Sequence, residues 1–261
     1  MAEDFLHRHI SSIGKVAFRL GLAVTHGIDD AGIREALEGP VNYVFFNPTA
    51  RKLVEPLRAA LRRDRQRYLV ATGPTFGFFP GSIRRRVEAA LRLLGTDYLD
   101  VLQLFWLGKM SAETEANMEE MARLRKEGKV RALGASIHDR ARAGRLAEDS
   151  ALDLLMIRYN AAHPGAETDV FPHLSRRRPA VVAYTATCGR KLLRAPRGWP
   201  GPAATAGQCY RFCLSNPLVD LVLFSPANAS ELREDLSEVA RGPLGEEEMS
   251  RLRSLGRAIH G

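Results

Sequence analysis

The sequence predicts an α/β fold in which eight strand–helix units close into one parallel (β/α)8 barrel. Three observations lead there. Short apolar, β-rich runs alternate with helical patterns from one end of the chain to the other. There are eight such runs, starting about 25 to 40 residues apart, the spacing that strand–crossover–strand units require. No glycine-rich phosphate loop follows the first run, as an open doubly wound nucleotide-binding sheet would want. The 261 residues match the usual length of one such barrel, so residues 1–261 are expected to form a single domain.

The strand runs are, in order, 17–22, 42–46, 67–72, 100–105, 130–135, 154–158, 180–184 and 218–224. Most are nearly continuous in apolar residues, as strands buried on both faces should be. Helical patterns lie between them. Residues 82–94 place Ile83, Val87, Ala90, Leu91 and Leu94 on one stripe, with Ser82 as the expected cap. Residues 112–127 form a second helix stopped by Gly128. Residues 228–240 form a third, where Asn228 and Glu231 have capping-box spacing. The segment 193–205 holds three prolines and two glycines and reads as a loop.

The formal charge is +8, mostly from arginine, with runs at Arg62-Arg63-Asp64-Arg65, Arg84-Arg85-Arg86 and Arg176-Arg177-Arg178. These runs fall on separate elements without interleaved aromatics, so a solvated surface is expected rather than a nucleic-acid footprint. No apolar stretch is long enough to cross a membrane, and the N-terminus does not read as a signal peptide. Three cysteines give no disulfide framework, so a cytoplasmic setting is expected. No HExxH, CxxC or GxSxG pattern occurs, which argues against a metal site and a serine hydrolase.

Function in a closed barrel gathers where strands end and the following loops begin. Those positions hold His26 after the first strand, Trp106 and Lys109 after the fourth, and His138 and Asp139 after the fifth. The sixth strand ends in Arg158, Tyr159 and Asn160, with His163 and Glu167 beyond, and the seventh offers Tyr184 and Cys188. His138, His163, Arg158 and Tyr159 are the catalytic candidates: two imidazoles that titrate near neutrality, a fixed cation and a phenol. His26, Trp106 and Asn160 are candidate substrate contacts. Asp139 reads better as a helix cap than as a partner of His138. An arginine ending an apolar strand needs a carboxylate partner or an anionic ligand.

Several segments resemble one family. Leu94-Gly95-Thr96-Asp97-Tyr98-Leu99-Asp100-Val101 resembles the LGTDYxDL stretch of the aldo/keto reductases. Gly128-Lys129-Val130-Arg131-Ala132-Leu133-Gly134-Ala135-Ser136 resembles their GKxRxxGxS segment, Tyr159-Asn160 their xYN motif and Val182-Ala183-Tyr184-Thr185 their VAYS. Asn216-Pro217-Leu218-Val219-Asp220 is similar to the start of their last barrel unit. The resemblance is collinear over nearly the whole chain. It implies a TIM barrel and a reductase of carbonyl groups using NADP or NAD.

The resemblance also implies a tetrad of aspartate, tyrosine, lysine and histidine, and none stands in its seat. The run 43–47 is Tyr-Val-Phe-Phe-Asn, and residues 48–52 hold no tyrosine. Thr72 runs into Gly73 where the lysine belongs, and Phe105 stands where the histidine would precede Trp106. On the cofactor side, Tyr184 matches the tyrosine that stacks on nicotinamide, and Ser136 lies beside the carboxamide seat. Thr185 and Ser225 match pyrophosphate contacts, and Asn228, Glu234 and Asp235 fall where the adenosine half is held. Ile137, Met156 and Glu231 replace an asparagine, a glutamine and the arginine that selects a 2′-phosphate. The reading that follows is an oxidoreductase using a nicotinamide cofactor on a small polar or anionic molecule. A cofactor-independent lyase, dehydratase or isomerase, and a non-catalytic binding protein, stand as alternatives.

Overall fold

The computed structural model describes residues 4–24, 27–47, 49–74 and 76–260. An antiparallel hairpin, β1 (His7–Ile10) and β2 (Lys15–Phe18), comes first. Eight parallel strands follow: β3 (Leu20–Ala23), β4 (Tyr43–Phe45), β5 (Leu69–Thr72), β6 (Leu99–Leu104), β7 (Val130–Ile137), β8 (Leu154–Arg158), β9 (Ala180–Tyr184) and β10 (Leu221–Phe224). They close in sequence order, with β10 pairing back onto β3. The expected (β/α)8 barrel is therefore the observed fold.

The outer layer contains α1 (Asp30–Glu38), α2 (Val54–Arg63), α3 (Pro80–Leu94), α4 (Glu115–Lys126) and α5 (Arg140–Glu148). It continues with α6 (Ala166–Asp169), α7 (Ala206–Leu214), α8 (Ala229–Val239) and α9 (Glu246–His260). The crossover after β8 is only one turn, α6, and a 3-10 turn at Phe171–Leu174. Among the described residues no helix is long and apolar enough to cross a membrane.

Alternation along the strands sorts two cores. Ala23, Tyr43, Leu69, Ala71, Val101, Ala132, Leu154, Met156, Val182 and Leu223 fill the barrel interior. Their neighbours, such as Leu22, Val44, Leu102, Leu155, Ile157 and Val222, pack outward against the helices. Successive strand residues face opposite sides, so both faces being apolar reflects burial on both.

The first strand departs from expectation. The run 17–22 is cut at Arg19 into the end of β2 and the start of β3. Arg19 is buried and its guanidinium donates to the carbonyls of Phe5, Leu214, Val219 and Asp220. Those four carbonyls make burying the cation tolerable, and the hairpin folds under the barrel as a plug. Its Lys15 donates to Asp100 Oδ1 at 2.9 Å and to the Tyr68 carbonyl at 2.7 Å. The floor repeats one device: Asp100, Asp153 and Asp220 each accept a backbone N–H from the strand before, at Val70, Leu133 and Val181, and Asn42 accepts one from Phe18 at the end of β2. The last run shortens to Leu221–Phe224 above Asp220.

Helix ends also shift. The helix expected from Ser82 starts at Pro80, whose fixed φ suits a first turn, and Ser82 bonds the Phe79 carbonyl from inside it. The second begins after Thr114, which accepts from Asn117 N–H. Asn228 caps α8 as expected, whereas Glu231 reaches back to the Ala227 N–H.

Candidate active site and cofactor cleft

Interior-facing residues at the C-terminal strand ends project into the barrel mouth. Counting by twos from Ala132 on β7 reaches Ser136 and then His138, just past the strand. Counting from Leu154 on β8 reaches Arg158, and from Ala180 on β9 reaches Tyr184. Three strands thus bring an imidazole, a guanidinium and a phenol together.

A hydrogen bond of 2.6 Å joins Tyr184 Oη to His138 Nε2. The Trp106 ring lies 5.2 Å from the His138 ring on its other side. Trp106 has φ 42°, uncommon for a large side chain. That backbone is held because its N–H donates to Ser136 Oγ at 2.7 Å and Ser111 Oγ donates to the Phe105 carbonyl. Burial, and secondarily the Arg158 charge, holds His138 below its ordinary value of 6.5. Burial raises Tyr184, and the Arg158 charge partly opposes this. Tyr184 thus keeps its proton at pH 7, and His138 is harder to charge than a free imidazole.

Arg158 is half-buried, and among the described residues no carboxylate or carbonyl pairs with its guanidinium. Its charge is felt at His138, His163, Tyr184 and Cys188. It is therefore the hub of the mouth, and it lacks the counter-charge that a semi-buried cation ordinarily needs. On the opposite wall Phe45 and Phe105 stack at 5.2 Å. At the end of β5, a side chain on Gly73 would run into the Gln103 backbone, so this wall is closed.

Other expectations are corrected. Tyr159 is not in the mouth. One residue out of phase with Arg158, it points into the outer layer, packs on Phe171 and Phe212, and donates to Glu167 Oε1 at 2.6 Å. Asn160 is fully buried and pins loops rather than substrate: its amide donates to the Thr185 carbonyl, and its Oδ1 accepts from Ala162 and His163 N–H. His163 turns toward Cys188, with Nδ1 to Sγ at 3.6 Å, and stacks on His260 at 4.5 Å between centroids. Burial and the nearby cations drive it down to about 4, so it is uncharged at neutral pH. Asp139 caps α5 by accepting from Arg142 N–H. His26 lies outside the described residues.

A cleft of about 910 Å³ opens at Tyr184, Phe45 and Met156 and runs outward between the loop after β9 and helix α8. That is the upper end of the roughly 300–1,000 Å³ typical of small-molecule sites. Thr185, Ser225 and Glu234 line it. Thr185 sits at φ 57° with its hydroxyl on the Tyr184 carbonyl. Two expected contacts lie elsewhere: Asn228 spends its side chain capping α8, and Ser136 holds Trp106. Sequence reasoning missed Arg190 and Tyr210, which also line the cleft. Arg190 was hidden in the irregular turns after β9 and Tyr210 in an ordinary apolar helix stripe. Among the described residues no group of three His, Cys, Asp or Glu could hold a metal.

The family model described as aldo/keto reductase family matches residues 40–195, more than half of the chain. An NADH-specific methylglyoxal reductase of Escherichia coli is 33% identical over 98 residues, covering 36% of this chain and 29% of that protein. A second methylglyoxal reductase of the same organism is 35% identical over 137 residues, covering 51% and 42%. The matches thus span less than half of those relatives' length. Among solved structures, an aldo-keto reductase from Bacillus halodurans in its holo form superposes with TM-score 0.79 at 21% identity, covering 95% of each chain. A glycerol dehydrogenase from Gluconobacter oxydans gives 0.77 at 19% identity, covering 99% and 98%. An aldo/keto reductase from Klebsiella pneumoniae, in complex with NADP and acetate, gives 0.75 at 20%, covering 94% and 93%. With the family model spanning most of the barrel and the mouth assembled from the strands it covers, the chain belongs to the aldo/keto reductase family.

Proposed function

We propose that this chain is a nicotinamide-dependent oxidoreductase that reduces a small carbonyl compound carrying an anionic group. The observation that carries the reading is Arg158, a half-buried guanidinium without a counter-charge among the described residues, beside the His138–Tyr184 pair and the inner end of the cleft. The cleft's size and the Tyr184 ring at its inner end fit a nicotinamide dinucleotide. The names of the relatives agree in kind: one is NADH-specific, and another structure holds NADP with a small carboxylate.

A bound nicotinamide supplies the hydride. Arg158 pairs with the substrate's anionic group through charge-assisted hydrogen bonds, fixing the carbonyl near His138. His138, with Tyr184 sharing its Nε2, is the group placed to deliver a proton to the carbonyl oxygen. It takes over the role that the family gives to a tyrosine, whose seat and partners this sequence lacks. Phe45, Phe105 and Trp106 wall the mouth and limit water.

The test is consumption of NADH or NADPH with matched pairs of substrates, a 2-oxo carboxylate against the neutral carbonyl of the same skeleton. Hydrogen bonds to a charged group contribute roughly 1.5–3 kcal/mol, about 10- to 150-fold. Wild type is expected to prefer the carboxylate by that factor, and Arg158→Met to erase the preference. Equal preference in wild type and variant would end the proposal, as would turnover that ignores the dinucleotide.

A further inference from the structure

A second cavity, of about 330 Å³, lies under the barrel, between the hairpin and the starts of β8 and β9. It is separate from the mouth: Ala180 opens β9 and lines this cavity, while Tyr184 closes β9 about 13 Å away. Two carboxylates among the described residues line it, and both are committed. Asp220 accepts from both prongs of Arg178 at 3.0 and 3.1 Å and from the Val181 N–H, with Arg8 Nε at 3.6 Å. Asp153 accepts from Arg125 at 3.1 Å and from the Leu133 N–H. Arg177 shares neither. Among the described residues its guanidinium donates to the Ser150 hydroxyl at 3.4 Å and the Leu152 carbonyl at 3.2 Å, both neutral, and meets no carboxylate. Ser11 and Ser12, at the hairpin turn, also line the cavity, and their hydroxyls have no protein partner among the described residues. Consecutive residues of an extended chain point to opposite sides. Arg178 instead has φ 53°, and Arg177 and Arg178 line the same cavity.

We propose that this cavity binds a small phosphate monoester, with Arg177 as its principal cation and the Ser11 and Ser12 hydroxyls as donors. A guanidinium without a carboxylate, set in a concave polar site, suits an anion through charge-assisted hydrogen bonds. Arg8 and Arg178 add positive potential while remaining on Asp220. A phosphate monoester brings nearly two charges and three acceptor oxygens. That matches donors arriving both from the hairpin and from the loop before β9, whereas a carboxylate offers two oxygens in one plane. The cavity is near the lower bound of small-molecule sites, roughly 300 Å³, so it has room for a short organic group beyond the phosphate but not for a dinucleotide. Bound there, the anion would tie the hairpin to the starts of the two strands that carry Arg158 and Tyr184. The proposal does not depend on the oxidoreductase reading of the mouth.

Calorimetric titration of the full-length protein with ethyl phosphate, at fixed ionic strength, is the test. Wild type is expected to bind one equivalent with a sub-millimolar Kd, and to bind sulfate several-fold more weakly. Arg177→Met should weaken ethyl phosphate by roughly tenfold or more, and Ser11→Ala with Ser12→Ala by a smaller factor. Arg158→Met, at the far end of β8, should leave this affinity unchanged. Arg177 is exposed and holds two neutral acceptors, so its variant is expected to keep the wild-type Tm without ligand. Added ethyl phosphate should then raise the Tm of wild type and of Arg158→Met but not that of Arg177→Met. No saturable binding to wild type would overturn the proposal, as would equal affinity in wild type and Arg177→Met. Loss of binding in Arg158→Met alone would also overturn it, because the phosphate would then sit in the mouth. Sulfate binding as tightly as ethyl phosphate would reduce the site to unselective charge attraction and overturn the phosphate assignment.

Discussion

Gly256→Ala sets two opposing effects against each other, and the structure decides the sign. Gly256 lies in the interior of α9, where alanine is about 1 kcal/mol better than glycine by intrinsic propensity. Propensity alone therefore makes the change stabilising. The glycine, however, is buried face-on against the backbone of Ala161 and Ala162. An added Cβ would lie 2.8 Å from the Ala162 nitrogen and closer still to the Ala161 carbonyl. Backbone cannot rotate aside, so α9 must withdraw by at least ~0.7 Å to restore ordinary contact near 3.5 Å. Such a gap forfeits a quarter or more of the packing of Leu252 and Leu255, which are fully buried on the same face. Overpacking costs roughly 1–3 kcal/mol, and a clash with backbone rather than a movable side chain puts this one in the upper half, about 2–3, leaving a net destabilisation of about 1–2 kcal/mol. For a chain of this size the expected fall in Tm is about 3–6 °C. Differential scanning calorimetry of the two proteins is the assay. An unchanged or higher Tm would show that α9 is not seated against the Ala161–Ala162 loop, and so does not brace the loop beside Arg158.

Three further predictions follow from the same geometry. If His138 delivers the proton, it must be charged, and its value lies below 6.5; kcat/KM for carbonyl reduction should therefore fall as pH rises through that range, and His138→Gln should remove the limb from the pH–rate profile. His163 is neutral in the fold with a value of about 4 against 6.5 ordinarily. Its stabilisation is complete above pH 6.5 and is lost as pH falls toward 4, by at most ~3 kcal/mol; His163→Gln should flatten denaturant stability measured across that window. Lys15→Met strips the plug of its bond to the fully buried Asp100, and removal of one partner from a buried pair costs roughly 3–5 kcal/mol; chemical unfolding should show that loss, with Arg65 left to hold the carboxylate from the other side.

Much of the barrel was legible because its strands are apolar on both faces and spaced by crossovers. That same property hid the phase of each strand. Leu154 and Met156 face inward, Leu155 and Ile157 outward, and all four are apolar, so nothing in the run says whether Arg158 or Tyr159 turns into the mouth. The result was one residue placed well and its neighbour misplaced. Arg19 was missed as a break because its cation is satisfied by carbonyls distant in sequence, one of them 201 residues away. His163, Cys188 and His260 meet only through tertiary packing of the C-terminal helix end, which local pattern cannot show. By contrast, Asn228 and Asp139 were readable as caps because capping is a contact over three residues.

The central claim is that hydride arrives from a dinucleotide in the α8 cleft at a carbonyl held by Arg158 and protonated by His138. Its most direct measurement is the fate of deuterium from NADH labelled at nicotinamide C4, incubated with a 2-oxo carboxylate and followed by NMR. One deuterium on the carbinol carbon of the 2-hydroxy product is expected with wild type, and its rate of appearance should drop sharply in Arg158→Met and His138→Gln. Product that forms without deuterium, or forms equally well with no dinucleotide present, would contradict the claim.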